Sequence, residues 1–195
     1  MLKAKFIFCG LLFLLLASIA VPAADTSSSQ TQVPEATTYQ IRNVKYDELL
    51  RPKDANNAEG TPIVLYPAQP WKCMTWKLKP ETNSTADATA GITTFWVKNV
   101  FTSKTFHADS GGDSNTAPQR VTQLRFPKDS SLTPGWQFVR LDDGNYKIID
   151  AKSGNAVTAV KDDGADEAHI VTAPWENQDS QKWHLEKIDP KDLTM

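Results

Sequence analysis

Apolar residues in this chain come in short runs that alternate with polar positions or break off after a few residues. The runs are rich in β-branched and aromatic side chains, and Gly, Pro, Asn and Asp interrupt them, which are the marks of strands and turns. No segment holds an apolar stripe of helical period long enough for a helix, so the pattern predicts an all-β chain. Near the C-terminus the elements can be placed one by one. Tyr146, Ile148 and Val157, with a turn at Lys152-Ser153-Gly154-Asn155, predict a first hairpin. His169 to Thr172 and Trp183 to Leu185 predict a third and a fourth strand, and Asp142-Asp143-Gly144-Asn145 predicts the turn that leads into this unit.

The same pattern is written three times. Thr38-Tyr39-Gln40-Ile41-Arg42-Asn43-Val44 returns as Thr94-Phe95-Trp96-Val97-Lys98-Asn99-Val100, and more loosely as Asn145 to Ala151. Each copy closes on a proline followed nine positions later by a tryptophan: Pro67/Trp76, Pro127/Trp136 and Pro174/Trp183. Tyr39 to Trp76 and Tyr146 to Trp183 both span 37 positions, while Phe95 to Trp136 needs four more, placed around Ser110 to Asn115. Repeated apolar positions call for a repeated unit that buries them against its neighbours. Three copies of about four strands around one axis predict a β-trefoil, with repeats at about 38–79, 92–141 and 144–188 and a C-terminal tail at 189–195. The competing β-propeller needs at least about four blades. Trp76, Trp136 and Trp183 are expected in the shared core, one ring from each third.

The ends of the chain belong to a different regime. A basic start at Lys3 and Lys5, an apolar run from Phe6 to Ile19 and small residues up to Ala24 predict a secretory signal cut after Ala23. An uncleaved anchor is the alternative, although the run falls short of the ~20 residues that span a bilayer. Secretion to the extracellular space is the expectation. Residues 24–37, rich in Ser, Thr, Gln and Pro, are expected to form a flexible leader. Asn83-Ser84-Thr85 is a glycosylation sequon, with Asn83 as acceptor.

Composition narrows the function classes. The formal charge is −2, and removal of 1–23 makes it −4, which offers no electrostatic footprint for nucleic acid or anionic lipid. Cys9 leaves with the signal, so Cys73 stands alone, no internal disulfide is possible, and the core must hold the fold. Cys73 is expected to be buried, with a reactive thiol as the lesser alternative. A monomer or weak dimer is expected.

Gln181-Lys182-Trp183 and Ile63-Val64-Leu65-Tyr66-Pro67 carry a family resemblance. The first reproduces a Gln-x-Trp signature and the second is similar to a Val-Gln-Leu-Trp-Pro strand. From Tyr39 to Ile188 the chain resembles the ricin-type (ricin B-like) β-trefoil lectins in a short, secreted, fungal-like form. The resemblance implies a galactose-type sugar held by an Asp after the first hairpin, an aromatic platform before the Pro, and an Asn-Gln pair before the Trp. By register, the first copy offers Arg51, Tyr66 and Cys73-Met74 at those positions. The second offers His107, Phe126 and, at the Gln position, Pro134, with Asp109 two residues beyond His107 as a displaced carboxylate. The third offers Thr158, Ala173 and Ser180-Gln181. No copy keeps the full set.

The candidate carbohydrate-binding residues are therefore Tyr66, Trp71, Asp109, Phe126, Trp175, Asn177, Gln178 and Gln181. Tyr66 and Phe126 read equally as platforms or as packed strand ends, and Gln181 can also serve the fold by bonding to backbone. Trp71 and Trp175 are less regular and lie in loops, where rings point to a binding surface or pack over the barrel mouth. The acidic run Lys161 to Glu167 reads as a solvated turn, because its spacing departs from the twelve-residue calcium loop. His107, His169 and His184 have no cysteine or acid cluster at zinc spacing, and neither a Gly-x-Ser-x-Gly elbow nor a phosphate loop is present. The reading is a non-enzyme without cofactor or metal that binds a glycan or glycoprotein. The alternative is a secreted trefoil that binds protein, such as a protease inhibitor or effector, through loops around Ser110 to Asn115 and Pro80 to Ala90. A trefoil that has lost its ligand is a third.

Overall fold

The computed structural model describes residues 37–81, 94–109, 118–127 and 134–194. Each copy folds into four strands. The first holds β1 (Thr38–Asn43), β2 (Leu49–Pro52), β3 (Ile63–Tyr66) and β4 (Thr75–Pro80). The second holds β5 (Thr94–Asn99), β6 (Thr105–Ala108), β7 (Gln119–Leu124) and β8 (Trp136–Arg140). The third holds β9 (Tyr146–Asp150), β10 (Ala156–Val160), β11 (His169–Ala173) and β12 (Lys182–Lys187). The hairpin, turn and strands predicted for 142–185 all lie where the pattern put them.

The outer strands of each copy close a barrel. β12 pairs β1, β1 pairs β4, β4 pairs β5, β5 pairs β8, β8 pairs β9 and β9 returns to β12, every pair antiparallel. This circuit leaves no free edge in the barrel. The inner pairs β2–β3, β6–β7 and β10–β11 form three hairpins across one end. β11 touches both β3 and β7, and a bridge from Pro62 to Thr122 ties the first hairpin to the second. That is a β-trefoil.

One device repeats at the exit of each first strand. Asn43, Asn99 and Asp150 accept from backbone N–H groups two and three residues on, which shapes the turn. Four residues past each of them, Asp47, Ser103 and Gly154 take positive φ, and their N–H groups return to the carbonyls of Asn43, Asn99 and Asp150. The two asparagines also donate Nδ2 to the preceding copy in the barrel, Asn43 to Ser180 O at 3.1 Å and Asn99 to Cys73 O at 2.8 Å.

The tryptophans occupy equivalent interior sites. All three are fully buried. Trp76 Nε1 donates to Leu50 O at 2.9 Å, Trp136 Nε1 to Phe106 O at 3.2 Å and Trp183 Nε1 to Val157 O at 3.0 Å, each acceptor lying on the second strand of its own copy. Phe106 bridges two of the rings, edge-on to Trp76 at 5.2 Å and tilted on Trp136 at 4.7 Å. Around them pack Ile41, Leu65, Phe95, Val121, Ile148 and Ile170.

The C-terminal tail does not run free of the barrel. Thr194 N donates to Pro70 O and accepts from Lys72 N through its own carbonyl, forming a parallel bridge beside Trp71. The expected signal sequence and leader up to residue 36, Asn83 and the insertion expected at Ser110 to Asn115 lie outside the described residues. Among the described residues no helix is long and apolar enough to cross a membrane.

Candidate functional site

The first copy holds a depression lined by aromatic rings. Tyr66 ends β3, and the chain returns at Trp71 before a 3-10 turn, Lys72–Met74, that leads into β4. The two half-buried rings stand 6.0 Å apart at 30°. With Phe101, which is 46% exposed, they line a cleft of 440 Å³. Its polar lining comes from Arg51, Asp54 and Glu167. A second depression of 680 Å³ shares Asp54, Tyr66 and Glu167 with it and extends to Lys53, Asp162 and His169. Together they make a groove with rings at one end and carboxylates along it.

Arg51 stands at the register position of the family's Asp, and it changes the local chemistry. Its guanidinium lies over the Tyr66 ring, 3.6 Å from the centroid, and Nη2 reaches Glu167 Oε1 at 3.0 Å. The side chain is only 7% exposed, so this ion pair and ring contact lock both partners in place, and Nε is left without a hydrogen-bond partner. Two carboxylates stand beside Arg51 in the cleft, Asp54 in the next turn and Glu167 from the third copy. Asp54 sits at a positive φ of 54°, which fixes the turn after β2. Cys73 lines the same cleft and is buried, as expected. Burial pushes its thiol up, while the nearby Arg51 charge pulls it partly back.

The second copy brings Asp109 beside His107, not beside Phe126. Thr122 Oγ1 donates to Asp109 Oδ1 at 2.7 Å and lies 3.2 Å from His107 Nε2, which is itself 3.3 Å from Asp109 Oδ1. Hydroxyl and carboxylate thus face the same ring nitrogen. A nucleophile relay needs them on opposite nitrogens, so this trio lacks that arrangement and instead braces the β6–β7 hairpin. Phe126 lies elsewhere, with Lys98 Nζ 5.8 Å from its centroid.

In the third copy Gln181 is buried, and its amide ties the loop to β10. Oε1 accepts from Glu176 N at 2.7 Å, and Nε2 donates to Pro174 O at 2.7 Å and Thr158 Oγ1 at 3.1 Å. It holds the 174–178 loop to β10, both its N–H donors are spent, and burial keeps the amide from meeting a ligand. On that loop Trp175 is half-buried with Lys147 Nζ 5.3 Å from its ring, Asn177 is exposed at a φ of 57°, and Gln178 donates to Glu176 Oε2 at 2.8 Å. The acidic run is an exposed turn: Lys161 Nζ donates to Asp166 O, and Asp162 faces His169 Nδ1 at 3.5 Å.

Of the predicted site residues, then, only Tyr66 and Trp71 meet in one cleft, and Trp175, Asn177 and Gln178 share one loop. Arg51, Asp54, Phe101 and Glu167 complete the cleft. Arg51 had been read only as a missing Asp, and the other three come from separate turns and copies that no local spacing connects.

Residues 135–194 match the family described as the ricin-type β-trefoil lectin domain-like family. No curated protein matches the sequence. Among solved structures, the Macrolepiota procera ricin B-like lectin in complex with lactose superposes with a TM-score of 0.62 at 15% identity, covering 81% of this chain and 100% of that one. The Rhizoctonia solani agglutinin gives 0.61 at 19% identity, covering 80% and 98%. An exo-β-1,3-galactanase from Clostridium thermocellum gives 0.63 at 19% identity over 80% of this chain but only 31% of the enzyme. The chain resembles the ricin-type β-trefoil lectins, in fold over all three copies and in sequence pattern over the third.

Proposed function

We propose that this is a secreted, non-catalytic carbohydrate-binding protein, released after loss of residues 1–23, and that it holds an oligosaccharide in the groove of its first copy. One observation carries the reading: Tyr66, Trp71 and Phe101 stand beside Asp54, Glu167 and Arg51 in a single cleft. Rings cover the apolar face of a pyranose, carboxylates accept from its hydroxyls, and the volume falls within the roughly 300–1,000 Å³ of ordinary ligand sites. The lectin relatives add support through the fold, one of them being a complex with lactose. The surplus of carboxylates along the groove suits neutral sugars, whose hydroxyls donate, and repels acidic ones.

The test is a glycan array probed with the wild type and with Tyr66→Ala and Trp71→Ala. Ring contacts contribute about 0.5–1.5 kcal/mol each, so either variant should lose roughly three- to ten-fold in affinity for the hits. Trp175→Ala should leave them unchanged. An array without hits, or hits that survive both cleft variants and vanish with Trp175→Ala, overturns this assignment. In the first case the protein-binding alternative takes its place, tested by titration against serine and cysteine proteases.

A further inference from the structure

The outer face of the β4–β5 hairpin is unlike its two counterparts. In register, Lys77 stands opposite Lys98 and Lys79 opposite Trp96, while Trp76, Leu78, Phe95 and Val97 point inward and are buried. Phe126 reaches the same face from the end of β7, and the five side chains line a groove of 300 Å³. Lys79 Nζ lies 5.6 Å from the Trp96 ring and Lys98 Nζ 5.8 Å from that of Phe126. Among the described residues none of the three ammonium groups has an acidic partner. Like charges directly opposite on neighbouring strands oppose pairing, and among the described residues only the ring contacts of Lys79 and Lys98 act against that cost.

The equivalent faces show that the fold does not require it. On β12–β1 the positions are Gln40, Arg42, His184 and Glu186, and Arg42 is bonded to Glu186. On β8–β9 they are Gln137, Val139, Lys147 and Ile149, with a single cation. Trp96 differs from the core tryptophans too. Its indole N–H is buried without a hydrogen-bond partner, whereas all three core indoles donate to a carbonyl. Nothing polar fixes this ring to the barrel.

We infer that this face is a second, separate binding surface, which takes an anionic polysaccharide bearing sulfate or carboxylate groups on pyranose rings. Three ammonium groups meet the negative charges, and Trp96 and Phe126 offer rings to the sugar faces once the lysines swing outward to the anions. The paired presence of cations and rings favours a charged sugar chain over an acidic peptide, which would use the cations alone. The surface shares no residue with the first-copy groove, so either site stands without the other.

The experiment compares immobilised dextran sulfate, neutral dextran and poly-glutamate, using the full mature chain. Dextran sulfate should retain the wild type, with retention falling as salt rises, and neither of the other two should match it. Lys77→Gln with Lys98→Gln should weaken dextran sulfate binding by about ten-fold or more, and Trp96→Phe should leave it within about two-fold while Trp96→Ala loses several-fold. Tyr66→Ala should change nothing on this matrix, and the lysine double variant should bind neutral glycan hits as the wild type does. Exposed Lys→Gln changes keep the fold, checked by an unchanged unfolding midpoint. No retention on dextran sulfate, equal retention on poly-glutamate, or retention indifferent to the lysine changes overturns the inference.

Discussion

Six tryptophans in one chain do different work, and the hydrogen bond at Nε1 separates them. Trp183→Phe keeps an aromatic ring but orphans the buried Val157 carbonyl, and it should destabilise the protein by about 1–3 kcal/mol. Trp96→Phe removes an N–H that bonds to nothing and should be neutral within about 0.5 kcal/mol. Urea denaturation of the two variants against the wild type checks the contrast. Cys73 makes a pH prediction. Its thiol is raised by burial, so the unfolded chain ionises first, and the stability Cys73 contributes is complete below about pH 8.5 and lost as pH climbs through the raised native value. Unfolding free energies at pH 7.0 and about 9.5 should fall more for the wild type than for Cys73→Ala. At this scale the sequence was informative where spacing repeats. The core tryptophans and the buried cysteine were legible because each sits in a run whose neighbours are known, whereas the duty of Gln181 was not, since only the folded chain brings Pro174, Glu176 and Thr158 to its amide.

Strands and turns were the most legible layer, because a period of two and a turn residue are local signals. The three turn devices at Asn43, Asn99 and Asp150 follow directly from the repeated motif. Replacing Asn99 with Ala removes the acceptor for Phe101 N and Thr102 N and the donor to Cys73 O, all from one buried side chain, and should cost roughly 2–4 kcal/mol. Asn99→Asp keeps the acceptor but turns a buried carboxylate oxygen toward the Cys73 carbonyl, so it should not recover wild-type stability; thermal unfolding of both variants checks this. Gly135 has a different reason to be small. A Cβ there would overlap Thr94 Cγ2 on the paired strand, so Gly135→Ala should lower the unfolding midpoint. The basic face of β4–β5 was equally written in alternation, Lys77-Leu78-Lys79 against Trp96-Val97-Lys98, but its meaning depends on the cross-strand register. Without that register, three lysines and a tryptophan read as ordinary solvent positions.

For the whole molecule, pseudo-symmetry is what the repeats disclosed and asymmetry is what bears on function. A formal charge of −2 averages an acidic groove in the first copy with a wholly basic face on β4–β5, so net charge describes neither surface. The cleft was illegible for a related reason: Arg51, Phe101 and Glu167 come from different copies, and only closure of the trefoil brings them together. That closure ties the fold to the proposed function. The most direct test is a two-dimensional NMR titration of the indole N–H signals with neutral oligosaccharides. Trp71 should shift on saturation while Trp76, Trp136 and Trp183 stay fixed and protected from exchange. Movement confined to Trp175, or no indole movement with any sugar that binds, would contradict the placement of the site in the first copy.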